Sequence, residues 1–310
     1  MSDDFMIFMQ TIKAYEKDIF AQPEFLNTFH AKKPIPKNQQ KNVIFSGTGD
    51  SFVSAMLSEV FSNHDVKSID PLDLLKTKTI AKNKIIYLVS ISGNTISNIK
   101  VAKIAKRSTA ITSKPNSRLA NVCNASIILN FPNSDEFTAG SISFLESALT
   151  CISLVTPVSI PKDPTIFKKA LSDAKKSKFG KRIFVLGSLH TFPIAMYCAA
   201  KFYELLGYDV HFERIEQFSH MELFSIKKGD TVIIFEEKNL HNTQLVKNLK
   251  KIGLNVIHPV FESKNKISQF LYYVYYSQLL PLFEAKKRRQ KDCHFILSKK
   301  LRHVSNQMIY

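Results

Sequence analysis

The segment Ile85-Ile86-Tyr87-Leu88-Val89-Ser90-Ile91-Ser92-Gly93-Asn94-Thr95 constrains the fold more than any other stretch of the chain. Its apolar, β-branched start has the pattern of a strand buried on both faces. A knot of hydroxyls around a glycine stops that run, and a helical pattern over 96–107 follows. At the junction, Ser90, Ser92 and Thr95 would gather three hydroxyls beside the free N–H groups of a helix N-terminus. That suits a phosphate, because donors converge on it and the helix dipole favours its charge. The same residues serve equally as an ordinary helix cap, so the loop alone leaves both possibilities open.

The surrounding pattern repeats this plan. An amphipathic helix over 5–21 and a connector with Pro34 and Pro36 lead to a buried strand at 42–46, a tight loop Gly47-Thr48-Gly49-Asp50-Ser51 and a helix at 52–61. After the strand at 85–90 and its helix come short strands at 109–112 and 126–130, then a strongly apolar helix over 141–155. Such alternation predicts an α/β fold, a parallel sheet covered by helices on both faces, with ligands at the carboxyl ends of the strands. Pro157, Pro161 and Pro164 punctuate a linker, after which the pattern restarts. A strand at 182–186, a loop at 187–190, a helix at 193–206, a strand at 231–235, a helix at 241–252 and a strand at 255–258 form a weak internal repeat, offset by about 140 residues. Where the first copy has Ser90 to Thr95, the second has Glu236-Glu237-Lys238-Asn239, whose carboxylates would repel a phosphate. One phosphate site per chain is therefore expected, in the first half. From Lys266 onward an aromatic helical stretch (Phe270, Tyr272, Tyr273, Tyr275, Tyr276) reads as core or subunit packing ahead of a basic tail. The expected divisions are 1–40 (helix and connector), 41–156 (first unit, with the phosphate loop), 157–264 (second unit) and 265–310 (helical tail).

Composition narrows the class. At 310 residues, 45% hydrophobic and 22% charged, the chain is long enough for two globular units. No run of ~18 apolar residues is available to span a bilayer. The acidic start Met1-Ser2-Asp3-Asp4 lacks the pattern of a secretory signal, and Cys123, Cys151, Cys198 and Cys293 are too dispersed for a zinc site or disulfide framework. Buried thiols in a reducing, cytoplasmic setting are expected. The net charge of +17 is spread along the chain, densest at Lys175–Lys178, Lys286–Arg289 and Lys299–Arg302, without a nucleic-acid recognition signature. Solvated helix faces are expected there, and the positive field would also draw in an anionic metabolite.

These motifs together resemble the tandem sugar isomerase (SIS) domain family, which includes the isomerase half of glucosamine-6-phosphate synthase, archaeal phosphoglucose/phosphomannose isomerases and amino-sugar phosphate deaminases. The resemblance runs from about Asn42 to Lys299. The first loop is similar to the family's sugar-binding turn and implies contacts from Gly47, Thr48 and Ser51; the second, Ser90-Ile91-Ser92-Gly93-Asn94-Thr95, is similar to its Ser-x-Ser-Gly-x-Thr phosphate loop. Glu136-Phe137-Thr138-Ala139-Gly140-Ser141 resembles the synthase and deaminase Glu-x-x-x-Ala-Ser loop, implying roles for Ala139 and Ser141. Pro193-Ile194-Ala195 followed by Ala199-Ala200-Lys201-Phe202-Tyr203-Glu204 is similar to the synthase's catalytic helix, and His220, 16 residues after Glu204, falls at the family's ring-opening histidine. Asp292 and Lys299 keep the seven-residue step of the synthase tail. The Gly-Asn-Thr ending of the phosphate loop and Ser219-His220-Met221-Glu222 lean toward the phosphoglucose/phosphomannose isomerases, so the substrate stays open.

What the resemblance implies is a fold of two SIS domains, each a parallel sheet flanked by helices in three layers, and a phosphosugar isomerase or deaminase. Aldose–ketose interconversion through a cis-enediol needs a base moving a proton between C2 and C1, and a carboxylate in a partly desolvated pocket is raised toward the working pH. Glu204 is the expected base, on a helix face with Met196, Ala200 and Leu205. Lys201, one turn earlier, would stabilise the enediolate oxygen or hold Glu204. His220 would open the sugar ring from a partner subunit, implying a homodimer with a shared site, and Lys299 would close over the substrate. Neither a metal nor another cofactor is expected, nor is a glutamine-dependent amidotransferase, since no glutamine-hydrolysing segment precedes residue 42. Asp50 is awkward, because a carboxylate facing a phosphate costs binding; it is expected to face sugar hydroxyls or cap its helix. The leading expectation is an isomerase of a glucose, mannose, fructose or glucosamine 6-phosphate. The alternatives are a glucosamine-6-phosphate deaminase and a non-catalytic sugar-phosphate sensor.

Overall fold

The computed structural model describes residues 10–132, 134 and 136–309. The acidic start and residues 5–9 of the expected first helix lie outside them. The strands are β1 (Val43–Ser46), β2 (Lys67–Ser68), β3 (Ile85–Val89), β4 (Arg107–Thr112), β5 (Ala125–Ile128), β6 (Ile183–Gly187), β7 (Val210–Arg214), β8 (Thr231–Phe235) and β9 (Asn255–Ile257). The principal helices are α1 (Thr11–Thr28), α2 (Asp50–Phe61), α3 (Ile96–Ile104), α4 (Ile142–Ser153), α5 (Thr165–Lys176), α6 (Thr191–Leu206), α7 (Ile215–His220), α8 (Leu240–Lys251), α9 (Lys266–Lys287), α10 (His294–Leu297) and α11 (Lys299–Ile309).

Two separate parallel sheets result, ordered β2-β1-β3-β4-β5 and β7-β6-β8-β9. Their central strands β1, β6 and β8 are buried along their whole length, as unbroken apolar runs require when helices cover both faces. On the first sheet, Phe45, Val89 and Ile111 pack with Cys151 and Leu154 on one side, and Ile86, Leu88 and Ala110 with Leu74 and Ile99 on the other. On the second, Ile183, Val185 and Ile233 join the largest core with α6 and α9, and Phe184, Val232 and Ile234 pack against Phe218 and Leu249. In each sheet the order of strand addition reverses between two parallel neighbours, β1 and β3 in the first and β6 and β8 in the second. The crevice outside their carboxyl ends is where such sheets bind ligands.

The aromatic stretch is core: Phe270, Tyr272, Tyr273, Tyr275 and Tyr276 are buried on α9. Cys151, Cys198 and Cys293 are buried and Cys123 half-buried, all as free thiols. Several boundaries differ from expectation. The helix α3 stops at Ile104 rather than reaching Arg107, because Arg107 already pairs with Ile85 as the first residue of β4. The first helix continues through Pro23 to Thr28, its buried face (Ile12, Tyr15, Ile19, Phe25, Leu26) outweighing the hydrogen bond that a proline forfeits. Its N-terminus is held by the tail: the Thr11 N–H and Oγ1–H donate to Asp292 Oδ1 at 3.0 and 3.1 Å, placing an anion where four N–H groups lack helical partners. Among the described residues no helix is long and apolar enough to cross a membrane, and no three His, Cys, Asp or Glu residues could hold a metal ion together.

Candidate active site

Both hydroxyl-bearing loops lie at the switch point of the first sheet. After β3, Ser90 is buried; its Oγ accepts from the Gly93 N–H at 3.2 Å and lies 3.1 Å from Thr95 Oγ1. Gly93 turns the chain at φ +64°, and a Cβ there would meet Ser117 Oγ at 2.0 Å, so only glycine closes this loop. Ser92, half-buried, accepts from the Asn94 N–H at 3.3 Å. The Ile91 carbonyl accepts from Thr112 Oγ1 and from the Ser113 N–H and Oγ, which ties the loop to the end of β4. Thr95 is the first flanking residue of α3, yet its side chain makes no capping bond, so the loop is not the ordinary cap the sequence also allowed. The second sheet differs as the acidic run implied: at its switch point Glu236 Oε1 accepts from Thr191 Oγ1 at 3.2 Å, so a carboxylate of the chain itself occupies the start of α6.

The loop Gly47-Thr48-Gly49 runs from β1 into α2, whose first residue, Asp50, corrects the expectation for that position. Asp50 makes no side-chain cap to α2: Lys201 Nζ donates to its Oδ2 at 2.7 Å, and its Oδ1 has no hydrogen-bond partner among the described residues. The reason is Lys201 itself, which α6 carries against α2 with 0% of its side chain exposed; a buried ammonium requires anionic partners. Lys201 also donates to Glu204 Oε2, one turn along α6, and its Nζ lies 4.9 Å from the Tyr197 ring centroid. The third loop joins the same point. Gly140 lies so close to Asp50 that a Cβ would come within 2.6 Å of Oδ2, and its carbonyl accepts from Tyr197 Oη at 2.8 Å. Ala139 and Ser141 are buried beside it, and Ser141 Oγ has no hydrogen-bond partner among the described residues.

The electrostatics follow from this geometry. Burial pushes the Glu204 carboxyl up to about 7; the Lys201 ammonium opposes that shift and the Asp50 charge adds to it. Its side chain is nonetheless 35% exposed, so it is a desolvated carboxylate that a small molecule can still reach. Burial alone would lower Lys201, but the charges of Asp50 and Glu204 outweigh it and keep the ammonium protonated. Tyr15 of α1 and Cys293, within reach of the Glu204 charge, are pushed up chiefly by burial and stay neutral.

Gly47, Thr48, Ser51, Ala139, Ser141, Lys201 and Glu204 are thus gathered around Asp50, with Ser90 to Thr95 on the neighbouring strand end. His220 and Lys299 are elsewhere. His220 ends α7, 72% exposed, with its Nε2 3.1 Å from Glu216 Oε1. Lys299 begins the exposed helix α11. No hydrogen bond or ion pair joins either to Glu204 among the described residues. Sequence reasoning missed the Asp50–Lys201 bond and the supporting shell of Tyr15, Tyr197 and Gln278, where Gln278 donates to Tyr197 Oη at 3.0 Å. No local signal marks residues 151 positions apart as partners; a lysine on an otherwise apolar helix face was the one available hint.

Two parallel sheets flanked by helices make an α/β fold that several solved structures share at low sequence identity. Among solved structures, the chain is similar to a glucosamine-6-phosphate deaminase from Thermotoga maritima (19% identity, TM-score 0.73, covering 90% of this chain and 95% of that one). It is also similar to the tagatose-6-phosphate ketose/aldose isomerase of Escherichia coli (16%, TM-score 0.69, 88% and 92%). A third similar structure is the C-terminal domain of a glucosamine-fructose-6-phosphate aminotransferase from Francisella tularensis (15%, TM-score 0.68, 92% and 97%). No protein-family model matches the chain, and no curated protein sequence does.

Proposed function

We propose that the protein is an aldose–ketose isomerase of a hexose 6-phosphate, with one site in each chain. The observation that carries this is a carboxylate titrating near neutrality, Glu204, beside a buried ammonium at the mouth of two hydroxyl loops. A base must be half ionised near working pH to take and return a proton efficiently. In this reading Ser90, Ile91, Ser92 and Thr95 bind phosphate with the N–H groups of α3, while Gly47, Thr48, Ser51, Ala139 and Ser141 line the sugar. Glu204 removes the C2 proton and returns it to C1 through a cis-enediol. Lys201, sealed between two carboxylates, acts by holding Glu204 rather than by meeting the substrate oxygen. The chain divides into 1–40, 41–156, 157–264 and 265–310, with the two middle segments as SIS domains in a cytoplasmic homodimer.

The similarity to a deaminase structure and the loop Glu136 to Ser141 support a second reading, an enzyme that isomerises glucosamine 6-phosphate and expels ammonia. A panel of hexose and amino-hexose 6-phosphates separates the outcomes. An isomerase makes an aldose from a ketose phosphate without ammonia, and a deaminase releases ammonia. Tight binding with neither reaction leaves the sensor.

Ser92→Ala tests the phosphate loop, since Ser92 is the most open of its hydroxyls. Losing one charge-assisted hydrogen bond, about 1.5–3 kcal/mol, is expected to raise KM roughly 10- to 100-fold with a smaller change in kcat. Unaltered affinity would remove Ser92 from the site. His220, exposed and joined to Glu204 by no hydrogen bond or ion pair among the described residues, is assigned to the neighbouring subunit's site. Mixing inactive Glu204→Gln and His220→Ala chains is then expected to restore activity, whereas none after verified subunit exchange would exclude the shared site.

A further inference from the structure

We propose that Asp50 is a positioning residue: by sharing the Lys201 ammonium, it keeps Lys201 and Glu204 from closing into a neutral, inert ion pair and so keeps Glu204 a working base. This rests on the isomerase reading for its chemistry, while the sharing itself is geometric. An ammonium has three N–H donors. One goes to Asp50 Oδ2, another to Glu204 Oε2, and Nζ lies near the Tyr197 ring. One cation therefore serves two carboxylates. With both ionised, the cluster carries a net negative charge where burial penalises charge, and holding a proton on one carboxylate removes it.

Position decides which carboxylate holds that proton. Asp50 is the first residue of α2, where the helix dipole favours a negative charge; Glu204 is in the last turn of α6, where it disfavours one. Among the described residues, the groups facing Glu204 are Lys201 and Tyr197 on its own helix, Asp50 on α2, Tyr15 on α1 and Cys293 ahead of α10. Tyr15, Tyr197 and Cys293 are neutral at working pH because burial pushes them up, so Asp50 is the one anion available to hold Lys201 away from a simple pair. Gly140 fixes the device, its missing Cβ letting the 139–141 loop close on Oδ2. Asp50 Oδ1 is buried without a partner, a cost that an ion pair formed for stability alone would not carry.

The test is Asp50→Asn, which keeps the side chain's shape and removes its charge. The Glu204 carboxyl, followed by NMR with carboxyl-labelled glutamate and assigned with Glu204→Gln, is expected to titrate about one pH unit lower, because Lys201 then serves it alone. The acid limb of kcat/KM moves with it, and kcat at neutral pH falls about three- to tenfold with KM within about twofold, as a weaker base implies. A merely structural role would lower activity equally at every pH and leave the titration in place. An unshifted or raised Glu204 titration in folded Asp50→Asn overturns the proposal. Should that variant not fold, Gly140→Ala drives the carboxylate off Lys201 and is expected to give the same downward shift; none there overturns it too. If the wild-type protein turns over no sugar phosphate, the isomerase reading fails, and the titration still decides the role of Asp50.

Discussion

Glu204→Gln is expected to lower turnover of the hexose 6-phosphate by about 10²–10⁴-fold while leaving binding intact. Glutamine preserves the shape and can still accept a hydrogen bond from Lys201, but it cannot take up the C2 proton. On the proposed isomerase reading, the wild-type protein in heavy water is expected to leave deuterium in the product, because a carboxylate near pH 7 exchanges its proton with solvent between the two transfers. The wild-type kcat/KM is expected to rise with pH through about 7, as the base ionises, and the variant to lose that limb. Stability gives an independent check with the opposite trend. The folded-state pKa of Glu204 is raised, so the native protein binds more protons than the unfolded chain between the ordinary carboxylate range and about 7, and wild-type stability declines as pH rises through that window. Glu204→Gln therefore gains in melting temperature relative to wild type between pH 5 and pH 8. A variant with wild-type turnover, or with a melting difference that is flat in pH, removes Glu204 from the role of base.

Much of the fold was legible because buried parallel strands announce themselves. The runs 42–46, 85–90, 182–186 and 231–235 each fall within a residue of a strand, since unbroken apolar stretches of that length have few other uses. The strand β7 was not legible, because Val210–Arg214 is a half-buried mixture of histidine, phenylalanine and charge without a clean period. Nor was α5, whose stripe of Ile166, Ala170 and Ala174 is buried but too small to stand out between the prolines and the lysines. In the site, local chemistry was readable and tertiary pairing was not. The hydroxyls of Ser90, Ser92 and Thr95 and the pair Lys201–Glu204 follow from spacing along one element. The meeting of Asp50 with Lys201 depends on how α2 packs against α6, which neither helix records. His220 and Lys299 mark the other boundary: their expected roles came through resemblance, and their surface positions leave any part in catalysis to a neighbouring subunit or to movement of the tail.

Lys201→Met is expected to be the most destabilising single change at the site, at about 3–5 kcal/mol near pH 8. Methionine nearly matches the length of the lysine stem and fills similar space beside Tyr197, so lost packing is a minor part of the effect. The larger part is electrostatic. Asp50 and Glu204 would face each other with no cation between them, and Asp50 Oδ1 already lacks a partner. Without the ammonium that opposes its upward shift, Glu204 in the variant keeps its proton above pH 7, where wild type has released it. The loss therefore grows as pH rises past 7 and shrinks toward pH 5, where Glu204 is protonated in both. Denaturant unfolding at the two pH values measures it directly. Neutralising the whole cluster separates charge from shape: the triple variant D50N/K201M/E204Q is expected to recover most of the stability, because a buried ion cluster is costly to break and cheap to replace. Wild-type stability for Lys201→Met at pH 8, or a loss that the triple variant shares in full, would mean that the ammonium is not what reconciles the two carboxylates.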